Sequence, residues 1–129
     1  MSYYFSTHLN NLSFDEAIQK VTAALKEEGF GILTEIDIQK TMKAKLDEDY
    51  LPYRILGACN PGFAHKALQA ENKIGAMLPC NIIVQQHQSG AIEVSAVDPI
   101  ASMQAAQNDS LAGIAVDVQQ KLKKVIDAL

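Results

Sequence analysis

Cysteine is scarce in this chain. The two present, Cys59 and Cys80, stand 21 positions apart, which fits neither a redox CxxC nor the ligand count of a closed zinc site. The two cysteines therefore give no sign of a disulfide-stapled or zinc-dependent small fold. At 129 residues none is needed, because a chain of this size removes roughly two-thirds of its extended surface from water on folding. Basic residues are outnumbered: eleven Lys and Arg face fifteen Asp and Glu, for a net charge of -4 and a pI near 5.2. With no basic stripe to offset that balance, nucleic acid is not an expected partner. Long apolar runs are missing too, none approaching the ~20 residues of a membrane span. Met1-Ser2-Tyr3-Tyr4 lacks the basic start and apolar run of a signal peptide. No membrane partner and a cytoplasmic location are the resulting expectations. GxSxG, HExxH, a Gly-rich phosphate loop and a dinucleotide fingerprint are all absent, which points away from an enzyme. Repeats and linkers are absent as well, so residues 1–129 are read as a single domain.

What is there is a globular composition, 48% hydrophobic and 20% charged. Tyr3, Phe5 and Thr7 alternate with Tyr4, Ser6 and His8 as a first strand. Ser13 and Glu16 have the spacing of a capping box. Phe14, Ile18, Val21 and Leu25 continue from it as an apolar stripe at helical spacing, stopped by Gly29. Phe30, Ile32, Thr34 and Ile36 alternate with Leu33, Glu35 and Asp37, a strand with a wet outer face. Asp37 is placed to cap a narrow surface helix carrying Ile38, Met42 and Leu46. The run Asp47-Glu48-Asp49 is read as a solvated loop, since it lacks an EF-hand pattern.

Pro52 introduces a third strand from Tyr53 to Cys59. Asn60-Pro61 then opens a helix, Asn as its N-cap and Pro at a position that needs no N–H. That helix fades near Glu71-Asn72, and Gly75 and Pro79 shape a connector. Cys80, Ile82 and Val84 share one face of a fourth strand, and a turn at Gln88-Ser89-Gly90 returns the chain as Ile92, Val94 and Ala96. The segment from Ala101 to Asn108 has no legible element. Asn108 or Asp109 caps a last helix whose stripe runs through Leu111, Ile114, Ala115, Val118, Leu122, Val125, Ile126 and Leu129. The expected class is α+β: a largely antiparallel sheet packed against two long helices, with short helices between the middle strands. Phe14, Ile18, Val21, Leu25, Leu111, Ile114, Val118, Leu122 and Val125 are the expected core.

Pro52-Tyr53-Arg54-Ile55-Leu56 leads into Cys59-Asn60-Pro61, with Ala64 and Ala67 next on a helix. Leu78-Pro79-Cys80-Asn81 then precedes an apolar strand and a glycine hairpin. In these strings the chain resembles, over essentially its whole length, a family of small bacterial proteins known as domain of unknown function 302. The resemblance implies a βαβ(4)α fold, in which an antiparallel sheet grips a long C-terminal helix, and a homodimer. It implies no chemistry, because fold alone does not specify activity.

Cys59 directly precedes a helix start, where N–H groups and the helix dipole favour a thiolate. Antiparallel pairing of the third and fourth strands would bring Cys80 to the same end of the sheet. With His65, six positions after Cys59, the pair forms a possible soft-metal set. The alternative is that both cysteines pack as small hydrophobes. Asn60 and the adjoining Pro61-Gly62 could present N–H groups to an anion with Arg54 nearby, or form an ordinary capped helix. Glu35 and Asp37 read as a solvated face, and His8 and His87 as surface histidines.

Two function classes are consistent with these residues. One is a noncatalytic small-ligand-binding or interaction module, its pocket enclosed by sheet and long helix and its working unit a homodimer. That dimer is also suggested by Met77, Leu78, Ile83 and Met103, which the stripes leave over. The other is a thiol-dependent redox or soft-metal-handling protein using Cys59 and Cys80. The ligand and any cofactor are not legible.

Overall fold

The computed structural model describes residues 2–129. Strands β1 (Tyr4–Leu9), β2 (Gly31–Asp37), β3 (Tyr53–Cys59), β4 (Cys80–Gln86) and β5 (Ile92–Val97) form one sheet in the order β1-β5-β4-β3-β2. Every neighbouring pair in it is antiparallel. The helices are α1 (Phe14–Glu27), α2 (Ile38–Leu46), α3 (Pro61–Ala70), α4 (Pro99–Met103) and α5 (Ala112–Asp127), with 3₁₀ stretches at Asn72–Met77, Gln104–Ala106 and Asp109–Leu111. This is the expected α+β arrangement, with a wholly antiparallel sheet. None of the helices among the described residues is long and apolar enough to cross a membrane.

Local signals place the two long helices. The Ser13 hydroxyl accepts from the Glu16 N–H at 3.1 Å, and the Glu16 carboxylate accepts from the Ser13 N–H at 3.0 Å, so two orphan donors of α1 are satisfied reciprocally. The chain leaves α1 through Gly29 at φ 85°, a left-handed conformation suited to glycine. Helices α1 and α5 lie side by side on one sheet face, α5 against β1 and β5 and α1 against β2 and β4. Val21, Leu25, Val118, Leu122 and Val125 are buried there against Leu56, Ile82, Val84, Val94 and Ala96. Phe14, Ile18 and Ile114 pack at the margin of this core and are only partly buried. At that margin the Arg54 guanidinium lies 5.4 Å above the Phe14 ring.

Four sequence expectations change. The β2 alternation is interrupted by a register shift between Ile32 and Thr34, a bulge that inserts Leu33 and reverses the parity of the remaining strand residues. Ile32 therefore joins the core, opposite Ala58, while Ile36 lies opposite Ile55 on the other face. The connector after α3 is a 3₁₀ stretch that buries Ile74. The segment without a legible element becomes α4 and a 3₁₀ turn, started by Asp98, whose carboxylate accepts from the Ile100 N–H and the Gln119 side chain. Met103, counted as left over, is buried in a second apolar cluster with Ala67, Ile74, Leu111 and Ala115. Of its companions Leu78 and Ile83 are half-buried, and Met77 remains exposed.

Candidate functional site

The cysteines come together at one end of the sheet. Cys80 starts β4 opposite Ala58, one residue before Cys59 at the end of β3. Both line a cavity of about 20 Å³ with Phe63, Leu78 and Met103, room for a single water and no ligand. Burial, reinforced by the neighbouring Cys59, pushes the Cys80 thiol up to about 11, so Cys80 stays protonated at neutral pH. Cys59 is only half-buried. His65 does not join them: it points outward from α3. The ligating atoms of Cys59, His65 and Cys80 do not form a group within 4.8 Å of one another. The reason is helical geometry, since α3 turns its buried face, Ala67, towards the second cluster and carries residue 65 away from it.

Asn60 and Arg54 are likewise held apart and occupied. The Asn60 side chain makes no capping bond to α3; its amide donates instead to the Glu28 carbonyl at 3.2 Å. Arg54 sits at the other end of β3, opposite Asp37 and Val84. Its guanidinium donates to Glu35 at 2.9 Å and Asp37 at 3.5 Å. Glu35 and Asp37 therefore clamp an arginine rather than forming a purely solvated face, because the bulge in β2 turns them to the side where Arg54 lies. The acidic loop after α2 pairs locally, Lys43 reaching Asp47 at 2.9 Å and Asp49 at 3.1 Å.

The concavity best shaped for a small molecule lies elsewhere, between α4 with its 3₁₀ extension and the start of α5. Its volume is about 270 Å³. Ile100, Met103, Leu111 and Val116 supply an apolar lining and Gln104 and Gln107 supply amides, while the Asn108 amide is spent on the Ala70 carbonyl, the Glu71 carboxylate and the Ser110 N–H. A larger depression of about 480 Å³ beside α2 is lined by Lys40, Lys43, Glu48 and Asp49, and the Lys43 to Asp49 bond satisfies charges across it. The expected enclosure by sheet and long helix is filled by the core, so the concavity is displaced to the helical corner. It was not legible in the sequence because one of its walls comes from the segment after Asp98.

A third arrangement went unread in the sequence. His8 on β1 lies opposite Glu93 on β5, and His87 stands just beyond β4, with its Nε2 2.9 Å from Glu93 Oε1. The two imidazole centroids are 6.4 Å apart. His8, His87 and Glu93 are the one group of three or more His, Cys, Asp or Glu side chains among the described residues whose ligating atoms all lie within 4.8 Å of one another. The hydrogen bond to His87 holds the Glu93 carboxyl below its usual range against the opposing effect of burial, and the Ser6 hydroxyl and both imidazoles add to the lowering. The hairpin turn alone predicts that Gln85 and Glu93 pair, as they do. The partnership of the first and fifth strands, which brings in His8, has no local signal.

Comparison with known proteins adds the family. No curated protein matches the chain. A crystal structure of an uncharacterised conserved protein DUF302 from Bacillus stearothermophilus superposes with a TM-score of 0.90 at 25% identity, covering 98% of each chain. Residues 5–129 match the family described as Domain of unknown function DUF302. Both the whole-length match and the shared architecture agree with the strings around Cys59 and Cys80, and the chain belongs to the DUF302 family.

Proposed function

We propose that this protein is a noncatalytic binding module for a small, largely apolar, uncharged ligand, and that it works as a homodimer. The observation that carries the reading is the concavity of about 270 Å³ between α4 and α5, close to the lower end of the size range of small-molecule sites. An apolar lining supplies the binding energy there, and the amides of Gln104 and Gln107 orient a polar substituent. Asp109 on the same lining disfavours anions.

The dimer is supported by the sheet face opposite α1 and α5. Ile36, Ile55 and Ile83 stand in one register row across β2, β3 and β4, and none of the three is fully buried. A second copy presenting the same row satisfies it by two-fold symmetry, without requiring complementary charge.

The test is an amide-resolved NMR titration of the full chain with uncharged monocyclic probes, phenol among them. Shifts concentrated between residues 100 and 116, and abolished by Ala112→Trp, are expected. Binding elsewhere, or none at millimolar probe, overturns the ligand reading. A light-scattering mass of one 14.1 kDa chain at micromolar concentration overturns the dimer.

A second reading, a thiol-dependent redox or soft-metal protein, is favoured by one observation: Cys59 and Cys80 line the same small cavity. The raised pKa of Cys80 weighs against it.

A further inference from the structure

His8 comes from one part of the chain, and His87 and Glu93, six positions apart, from another. His8 is on an edge strand, Glu93 on the strand hydrogen-bonded to it, and His87 in the hairpin that precedes that strand. The His87 backbone is fixed on both sides, its N–H donating to the Ala91 carbonyl at 2.8 Å and its carbonyl accepting from the Gly90 N–H at 2.9 Å. Glu93 is fixed by ladder pairing to both β1 and β4. The side chains converge on the face opposite α1 and α5, since Ser6 and Ser95, of the same parity, join hydroxyls there at 2.7 Å.

From this geometry we infer that His8, His87 and Glu93 form a binding site for a divalent transition-metal ion, zinc being the best fit. Two imidazoles and one carboxylate are ligands of borderline hardness, suited to zinc and its neighbours rather than to magnesium or calcium, which prefer all-oxygen sites. Ligand atoms around a tetrahedral zinc stand about 3.3 Å apart, given bonds of about 2.0–2.1 Å. Atoms already within 4.8 Å of one another reach that spacing by small side-chain rotations of His8 and His87 on a fixed backbone. Three protein ligands leave a fourth position for water or an exogenous donor, so the site resembles in number an open zinc centre rather than a closed structural one. It is separate from the α4 and α5 concavity and from both cysteines, so it stands independently of the ligand reading, and it shares only the sheet face with the isoleucine row of the proposed dimer.

The experiment is calorimetric titration of the full-length protein with zinc chloride, with magnesium chloride as control, repeated on His8→Ala, His87→Ala and Glu93→Gln. One zinc per chain and no magnesium uptake are expected. Loss of outer-shell partners alone weakens metal affinity roughly 10–100-fold, so each ligand substitution should cost at least about tenfold. Cobalt(II) on the unsubstituted protein reads the donor set without depending on any variant. Visible d–d bands with no thiolate charge-transfer band support the site, and a thiolate band assigns the metal to the cysteines and overturns it. Absence of zinc uptake, or uptake that survives all three substitutions, overturns it as well.

Discussion

Asn60 donates its side-chain amide to the main-chain carbonyl of Glu28, fastening the exit of α1 to the start of α3 across 32 positions of sequence. The tie and a helix cap make opposite demands on substitution. Asp is as good an N-cap as Asn but cannot donate to a carbonyl. Asn60→Asp is therefore expected to destabilise by about 1 kcal/mol in urea denaturation. Unchanged stability would mean that the residue acts as a cap.

Leu122 is fully buried between the helices and the sheet. Leu122→Ala is expected to cost about 2–5 kcal/mol, the transfer free energy of the lost atoms plus that of the cavity left behind. A thermal or chemical denaturation loss below about 0.5 kcal/mol would place the α5 stripe outside the core.

Gly57 lies directly under Thr34 and Pro79. A Cβ at this position would overlap the Thr34 hydroxyl and come within 2.7 Å of Pro79 Cγ. Gly57→Ala is expected to destabilise by about 1–3 kcal/mol through overpacking. Adding Thr34→Ala should restore part of that loss, since it removes the nearer obstacle. Additive effects in the double-mutant cycle would count against direct contact.

The Cys80 thiol, pushed from an ordinary value of 9.0 up to about 11, links stability to alkaline pH. A pKa raised on folding means that the folded state holds the proton more tightly. The associated stability is complete below about pH 9 and is lost as pH rises towards 11. Two units correspond to about 2–3 kcal/mol. Cys80→Ala should flatten the decline of stability between those pH values, and an identical decline in both proteins would refute the assignment. At pH 8 the Cys59→Ser protein should alkylate slowly and Cys80→Ser faster, because only the latter keeps the half-buried thiol.

Several roles that depend on near neighbours were legible, although the Asp98 cap of α4 was not. Ser13 and Glu16 cap α1, Asp37 caps α2 through the Lys40 N–H, and the hairpin after β4 pairs Val84 with Val94. The stripes of α1 and α5 named the helical side of the core, Val21, Leu25, Val118, Leu122 and Val125, because a helical period needs only local order to be read. Sites were less legible. The strand parity of Cys80 was apparent, yet whether His65 faced it depended on the direction in which α3 leaves the sheet.

The sequence by itself determined the α+β class, the extents of most strands and helices, the capping of α1 and α2 and the place of Val21, Leu25, Val118, Leu122 and Val125 in the main core, since propensity, capping and periodicity act within a few residues of each other. Tertiary structure alone decided which strands became neighbours. That choice places β1 beside β5 and so His8 beside Glu93. It also makes a bulge in β2 turn Glu35 and Asp37 towards Arg54 and sends the Asn60 amide to Glu28 instead of its own helix. The physical reason is that each of these contacts joins residues far apart in the chain. Their geometry is set by burying two helix stripes on a single sheet face, and no local pattern records it.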